Sequence, residues 1–504
     1  MKFADLTPVE RRVWRAFPRG EEVDLRRDDA PGSDDLADPH DPVAGGSWGP
    51  ERTVRAEVLR QLLLGEVTEP AEVAALRLVG ARISGELDLQ YGTVPHPIRL
   101  MGCHFDRTPN LYGARTRQVN LSASYLPGLS AATIRVEGVL RLTDARIPGT
   151  VRLGGARISG AFFLDRAHIG GDGERAMELN QAIVGDDVWA PGLVAHGELR
   201  MDGARVEGAF NLDEAHLSNP GRIALFGPGL TIGAGLRGKA MHADGMVHLM
   251  GARVTAAVFL LDARFTGGGR APGRERAEPA VALQLSHCQA RELLLRGAEP
   301  ITSGVYLRHA QFGVISAAPE VWPPHVELDG LTYSALEPRL PAERRLELLR
   351  RDRHGFVPHA YEQLAASYRR IGDDAAARTV LLAKQRRRRA GLAWYARLWG
   401  LAQDATVGYG YRPVRAVAWL VALLVAGSVT YGLREPRAIE PATAPVFNPV
   451  VYTVDLLLPI IDFHQENAFN PVGWSQWLSY ALIAAGWLLA TTIATGLTRA
   501  VNRQ

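Results

Sequence analysis

Three carboxylates in the C-terminal part of the chain have types and spacing that could do chemistry. Asp455, Asp462 and Glu466 lie close together between two long runs of uncharged residues. An ionisable side chain at membrane depth usually has a functional role, such as lining an ion path. These acids are therefore candidate pore residues. The alternative interpretation is a short amphipathic helix at a surface, with its acids in water.

A second candidate is a basic position that recurs through the middle of the chain. The outward residue of each repeat unit is repeatedly arginine: Arg82, Arg135, Arg146, Arg157, Arg205, Arg253 and Arg264. Stacked on a regular scaffold, these side chains form one or two basic ladders that could receive lipid headgroups or an acidic protein face. The alternative is solvated arginines paired with nearby aspartates: Asp144, Asp165, Asp202, Asp213 and Asp262.

Motifs typical of enzymes are missing or lie in the wrong context. The stretch 233–238 satisfies the dinucleotide pattern GxGxxG, but no helical pattern follows it, which favours a structural role. Residues 406–410 match the potassium-channel filter pentapeptide, yet they precede the first uncharged run, which favours a hinge. We therefore predict no catalytic residue, no metal site and no cofactor, and the formal net charge of +3 predicts no nucleic-acid partner.

The scaffold that must position these side chains repeats every eleven residues. Leu142, Ala145 and Ile147 recur as Leu153, Ala156 and Ile158, and the same register returns from about residue 76 to residue 334. Apolar residues alternate within each unit, which indicates short strands, and glycines such as those at 138, 149, 160 and 208 follow them at expected corners. Two units make one coil. The period predicts a right-handed, four-sided parallel β-helix with an 11-residue half-coil.

Three further segments flank the solenoid. Residues 1–75 contain two expected helices that would cap the first coil. Residues 335–404 are expected to form a helical linker whose hairpin is similar to one tetratricopeptide unit. The two cysteines, Cys103 and Cys288, occupy positions where other units have alanine, so we expect small buried side chains and no disulfide.

Residues 405–504 are expected to form a two-helix transmembrane domain. The uncharged runs 416–433 and 477–497 are each about as long as the 20 residues that a bilayer requires, and a short helix over 449–458 is expected between them. The arginine run Arg386, Arg387, Arg388 and Arg389 would contact anionic lipid and set the orientation. This predicts plasma-membrane localisation with both termini and the solenoid in the cytoplasm.

The chain resembles a group of actinobacterial membrane proteins. The Leu-x-x-Ala-x-Ile units, the hairpin at 361–389, the stretch 407–413 and the two uncharged runs are the features that carry this resemblance. That group has a pentapeptide-repeat-like solenoid and sometimes an ion-channel-like tail. Some members are labelled membrane-associated oxidoreductases.

The preferred functional hypothesis is a membrane-anchored, non-enzymatic scaffold or sensor that presents the solenoid as a binding surface. Its expected partners are the lipid bilayer and an acidic protein, with homo-oligomerisation possible. The first alternative is an oligomeric channel gated by the solenoid. The second alternative, implied by the resemblance, is an oxidoreductase.

Overall fold

The structure is a computed structural model that describes residues 3–26, 38, 40–65, 73–266, 268–269, 280–297, 299–390, 413–440, 444–458 and 462–501. The chain forms two compact units, Met1–Ser367 and Tyr368–Gln504. Each unit is described separately below.

The first unit is built on a parallel β-solenoid of about 11 turns over residues 76–337. Arg135 pairs with Arg157, and Arg146 pairs with His168, so one coil takes about 22 residues. The solenoid predicted from the 11-residue period is therefore confirmed.

Four short strands follow one another around the central coils, and we number the faces from the strand Arg135–Val136. Face one contains Thr93–Val94, Arg115–Thr116, Arg135–Val136, Arg157–Ile158, Ile183–Val184, Arg205–Val206, Thr231–Ile232 and Arg253–Val254. Face two contains Glu22–Asp24, Leu76–Val79, Ile98–Met101, Val119–Asn120, Leu140–Arg141, Phe162–Phe163, Val188–Trp189, Phe210–Asn211, Leu236–Arg237 and Ala257–Leu261. The strands Gln289–Arg296, Gln311–Ala317 and Thr332–Glu337 run through both faces.

The other two faces are formed by a second large sheet and, near the N-terminal end, by a three-stranded sheet of Thr53–Arg55, Arg82–Ser84 and His104–Phe105. Face three contains Thr53–Arg55, Arg82–Ser84, His104–Phe105, Arg146–Ile147 and Arg264–Thr266. Face four contains Leu129–Ser130, Val151–Arg152, Val281–Gln284, Gly304–Tyr306 and Val326–Glu327. Four longer strands continue from face three into face four: His168–Glu178, Val194–Arg200, His216–Phe226 and His242–His248.

The interior of the solenoid is filled by the apolar residues of the repeat. Leu142, Ala145 and Ile147 are completely buried, because alternate residues of each strand point to opposite sides. Cys103 and Cys288 are free and buried among these residues, as expected from their alanine-like positions. Burial raises the pKa of both thiols to about 12.

The corners require left-handed backbone at the residue just before the recurring alanine. Gly155 has φ +67° and Asp144 has φ +57°, and similar values recur once per coil at each of these two corners. Gly149 and Gly160, which we expected in this conformation, are outside it. A Cβ atom at Gly149 would instead collide with the carbonyl oxygen of Pro127 in the preceding coil. These glycines therefore allow close stacking of coils.

Replacing Thr133 by glycine is expected to stabilise the protein by about 0.5–1 kcal/mol, because a β-branched residue is strained at its φ of +56°. The measurement is the urea midpoint of the full chain. The matched control is Thr231→Gly, in an ordinary strand, which should destabilise by about 0.5–1 kcal/mol. Equal destabilisation by both substitutions would show that the corner is not strained.

Helices and 3-10 turns cover the first coil. The helices are α1 (Pro8–Ala16) and α2 (Ala56–Leu64), and the turns are Phe3–Asp5, Phe17–Arg19 and Pro42–Ser47. The strand Glu22–Asp24 pairs in parallel with the first strand of the repeat region and occupies its edge. Covering this edge removes a row of unpaired backbone groups.

The last coil is covered by α3 (Ala342–Arg350). Leu346 and Leu349 are buried, and Arg345 donates a hydrogen bond from Nη1 to the carbonyl oxygen of Ala317 (3.1 Å).

The next helix, α4 (Pro358–Arg370), ends near Gly372, which has φ +79°, and α5 (Asp374–Ala390) follows. Both helices lie where the helical hairpin was expected.

The second unit contains α6 (Pro413–Leu433), α7 (Pro449–Leu457), α8 (Trp474–Val501) and the strand pair Arg437–Ala438 and Phe469–Asn470. The short helix expected over 449–458 therefore forms, and the side chain of Asn448 caps it by accepting a hydrogen bond from the Val450 amide (3.0 Å). Tyr431, Tyr452 and Leu482 belong to one buried apolar cluster. Burial raises the pKa of Tyr431 to about 12.

The prediction of two membrane spans is wrong. The runs 416–433 and 477–497 do fold as parts of α6 and α8, but among the described residues no helix combines the length and the apolar character that crossing a bilayer demands. The sequence criterion counted residues without charge, and absence of charge does not measure how apolar a helix is. The transmembrane part of the predicted fold class and the two-span plasma-membrane localisation are both withdrawn.

Candidate functional site

The structure aligns five arginines in one row on face one. The parallel register joins Arg115 to Arg135, Arg135 to Arg157, and then passes through Ile183, Arg205 and Thr231 to Arg253. We call Arg115, Arg135, Arg157, Arg205 and Arg253 the arginine column. Each is the outward residue of a strand whose next residue points into the core.

The arginine column is exposed and almost free of ion pairs. Within the described ranges, no carboxylate oxygen lies within 4.0 Å of Arg115, Arg135, Arg157 or Arg253. Arg205 has only a long contact of 3.9 Å to Glu207, and both side chains are more than half exposed. The guanidinium groups are therefore available to another molecule.

This arrangement costs stability. Arg115, Arg135 and Arg157 lie directly opposite one another on neighbouring strands about 4.8 Å apart, and like charges opposite each other in a sheet are destabilising. Guanidinium groups held at this strand spacing in water would repel by roughly 0.8 kcal/mol per pair, and the spacing is shorter than the Debye length at physiological salt. An anionic partner would relieve this repulsion.

The structure places the other three predicted arginines on face three, where two of them have intramolecular partners. Arg82 binds both oxygens of Asp106 (2.9 and 3.1 Å), and Arg146 contacts Asp41 of the N-terminal segment (3.4 Å). Arg264 is exposed and pairs in register with His242. The predicted ladder is thus two rows on different faces, and only the row on face one is largely unpaired.

The aspartates considered as partners for these arginines mostly bind elsewhere. Asp144 pairs with Arg166 (2.8 Å), Asp202 with Arg200 (2.9 Å) and Asp213 with Arg237 (2.9 Å), and Asp165 accepts a hydrogen bond from Thr143. None of these three arginines belongs to the arginine column. The neighbouring acids therefore leave the charge of the column in place.

The three candidate pore acids lie around one loop of the second unit, but they have different surroundings. Asp455 is buried and accepts hydrogen bonds from the backbone amides of Phe463 (2.7 Å), Gln465 (2.9 Å) and Glu466 (3.0 Å). Asp462 is exposed and accepts a hydrogen bond from the His464 amide (2.7 Å). This geometry indicates that Asp455 holds the loop together.

The surroundings of Glu466 change its ionisation. Burial, followed by the nearby charges of Asp455 and Asp462, raises the pKa of Glu466 above its ordinary value. Its side chain is covered only in part, since it lies at the surface of the second unit. The channel hypothesis required these acids to lie between two spans, and that premise is now withdrawn.

The remaining sequence candidates are only partly described. Arg386, Arg387 and Arg388 are exposed on the last turns of α5, whereas the side chain of Arg389 lies outside the described part. The filter-like pentapeptide at 406–410 also lies outside the described residues. The GxGxxG match at 233–238 begins directly after the strand Thr231–Ile232 and includes the strand Leu236–Arg237, so it is part of the solenoid, as its alternating pattern indicated.

Sequence reasoning missed Arg115, because the residue after it is Thr116 where other units have an aliphatic residue. The signal was nevertheless present: Leu111 and Ala114 have the same spacing as Leu142 and Ala145. A search that required only the leucine and the alanine would have found this arginine.

The fold and the site together define a parallel β-solenoid with an exposed row of arginines along one face. Among the described residues, no group of three or more histidine, cysteine, aspartate or glutamate side chains is placed to hold a metal ion. No family model, no curated protein and no solved structure matches the chain.

Proposed function

We propose that this chain is a non-enzymatic scaffold that binds an acidic protein partner through the arginine column. The observation that supports the proposal is the register of Arg115, Arg135 and Arg157, three like charges on adjacent coils without a carboxylate among the described residues near enough to pair. Repulsion among these like charges destabilises the unbound protein, and binding of an acidic partner would remove that repulsion.

The rigidity of the solenoid supports the same proposal. Backbone hydrogen bonds join each coil to the next, for example Arg157 N to the Ile134 carbonyl (2.8 Å) and Arg135 N to the Ala114 carbonyl (2.8 Å). The positions of the arginine Cα atoms are therefore fixed before a partner arrives. The backbone that carries the column therefore loses little conformational entropy on association.

The test is the binding of fluorescent poly-L-glutamate to the full chain, followed by anisotropy at physiological salt. The variant Arg135→Glu/Arg157→Glu/Arg205→Glu is expected to bind roughly 30-fold more weakly, a loss of about 2 kcal/mol. The reversed charges repel the probe where the native ones attract it. Circular dichroism should show an unchanged fold, since all three side chains are on the surface.

The matched control reverses three exposed arginines on other parts of the solenoid, Arg152→Glu/Arg264→Glu/Arg308→Glu, and changes the net charge by the same amount. It is expected to weaken binding less than about 3-fold. If both triple variants lose the same affinity, binding depends on total charge alone and the proposal is wrong.

A further inference from the structure

We infer that the occupant of face one is an acidic α-helix lying parallel to the solenoid axis, with one carboxylate per turn opposite the arginines and an apolar side chain opposite Ile183. This inference rests on the proposed function and adds the conformation of the partner and one specificity position.

The spacing of the arginine column favours a helix over an extended chain. Neighbouring coils are about 4.8 Å apart, and successive turns of an α-helix are about 5.4 Å apart, a difference of about 0.6 Å per step. Same-side residues of an extended strand are about 6.8 Å apart, so the difference is about 2 Å per step.

Over the whole column this difference decides between the two conformations. From Arg115 to Arg253 the register takes six coil steps, or about 29 Å. A helix would accumulate a mismatch of about 4 Å, which long arginine side chains can absorb, whereas a strand would accumulate about 12 Å. A helix of about 19 residues matches the length of the column.

Ile183 interrupts the charge at the middle of the column. It lies in register between Arg157 and Arg205, and 37% of its surface is exposed. The residue two positions later on the chain is Gly185, so there is no side chain at that position to shield it. An exposed aliphatic residue within a row of charges is the kind of position at which a partner gains affinity by burying apolar surface.

A protein helix also fits face one better than a nucleic acid. Glu137 and Glu207 are exposed on this face, two residues after Arg135 and Arg205 respectively. Their carboxylates would repel a continuous phosphate backbone, and phosphates gain nothing from contact with Ile183. A helix can place carboxylates opposite the arginines and neutral or basic residues opposite the glutamates.

The experiment uses the full chain and two labelled peptides of about 20 residues with identical composition. In the striped peptide, glutamates occupy one helical face and a leucine lies at the centre of that face. In the scrambled peptide, the same residues are distributed around the helix. The striped peptide is expected to bind at least about 10-fold more tightly and to gain helical circular dichroism on binding.

The specificity position is tested by Ile183→Asp, with Phe259→Asp as the matched control, since Phe259 is 38% exposed on face two. We expect Ile183→Asp to weaken binding of the striped peptide roughly 10-fold and the control to change its affinity less than 2-fold. When the central leucine of the peptide is replaced by glutamine, the effect of Ile183→Asp should shrink to within about 3-fold, because the apolar contact is gone and only the repulsion between the introduced aspartate and the peptide glutamates remains.

The outcomes separate the inference from the proposed function. If both peptides bind equally and both lose affinity on reversal of the arginine column, the scaffold function stands and the helical partner is rejected. If neither peptide nor poly-L-glutamate binds, both are rejected. If a DNA duplex binds more tightly than the striped peptide and displaces it, the acidic-helix inference is overturned in favour of a nucleic acid.

Discussion

Replacing Glu10 by alanine is expected to destabilise the first unit by about 2–3 kcal/mol, because the backbone amides of Thr7 and Arg55 lose their buried charged acceptor, whereas the Arg55 side chain is partly exposed and can turn to water. The side chain of Glu10 is fully buried. Its carboxylate accepts hydrogen bonds from Arg55 Nε (2.8 Å) and Nη2 (2.6 Å), from the Arg55 amide (3.0 Å) and from the Thr7 amide (2.9 Å). It therefore joins α1 to the segment that leads into α2.

The measurement is urea unfolding of the full chain at neutral pH. Glu86→Ala, at an exposed glutamate, is the matched control and should change the free energy of unfolding by less than about 0.5 kcal/mol. Equal stability of the Glu10 and Glu86 variants would show that the cap adds nothing to the solenoid.

The contribution of Glu10 should also depend on pH. Burial by itself would raise the pKa of Glu10, but the hydrogen bonds from Arg55 and Thr7 outweigh it and lower the pKa from 4.5 to about 2. Because the pKa of Glu10 is lower in the folded state than in the unfolded state, its ionised carboxylate stabilises the folded protein at pH values above the unfolded-state pKa. This stabilisation is lost as the pH falls through the folded-state pKa. The stability difference between the native protein and Glu10→Ala should therefore narrow between about pH 4.5 and pH 2.

Replacing Asp455 by alanine is expected to destabilise the second unit by about 4 kcal/mol. The substitution removes the acceptor of three backbone amide hydrogen bonds, and hydrogen bonds to a charged group contribute about 1.5–3 kcal/mol each, with partial compensation by water. Hydrogen exchange on the full chain should show faster exchange of the Phe463, Gln465 and Glu466 amides.

Asp462→Ala is the matched control, because this exposed acid accepts a single local hydrogen bond from His464. It is expected to change stability by less than about 1 kcal/mol. Unchanged exchange of the three amides in the Asp455 variant would contradict a structural role and return this acid to the functional candidates.

The solenoid could be predicted because the packing of each coil on its neighbours produces the 11-residue period of the sequence. Leu142, Ala145 and Ile147 are buried because each coil covers its neighbours, and the same demand recurs in every coil. The glycines were interpreted less well. Their recurrence was visible, but spacing alone does not distinguish a left-handed corner, as at Gly155, from close backbone stacking, as at Gly149.

The candidate site could be predicted only in part. The outward direction of Arg157 followed from the alternation, whereas its partners did not, because a pairing depends on which residues the coil brings together across faces. Arg82 and Arg146 have the same sequence context as Arg157, yet both have intramolecular partners. Arg82 pairs with Asp106, and Arg146 contacts Asp41 of the N-terminal segment. The two membrane spans were predicted wrongly because the prediction considered only the absence of charged residues and not how apolar each helix is.

The nearest-neighbour bonding of the coils has a mechanical consequence. Each coil is bonded only to the coil before it and the coil after it. Under tension the solenoid would therefore unfold from one end, one coil at a time. Each released coil would free about 22 residues, or roughly 75 Å of extended chain. Under load this chain would lengthen in nearly equal increments, as a stepwise tether between whatever is attached to its two ends.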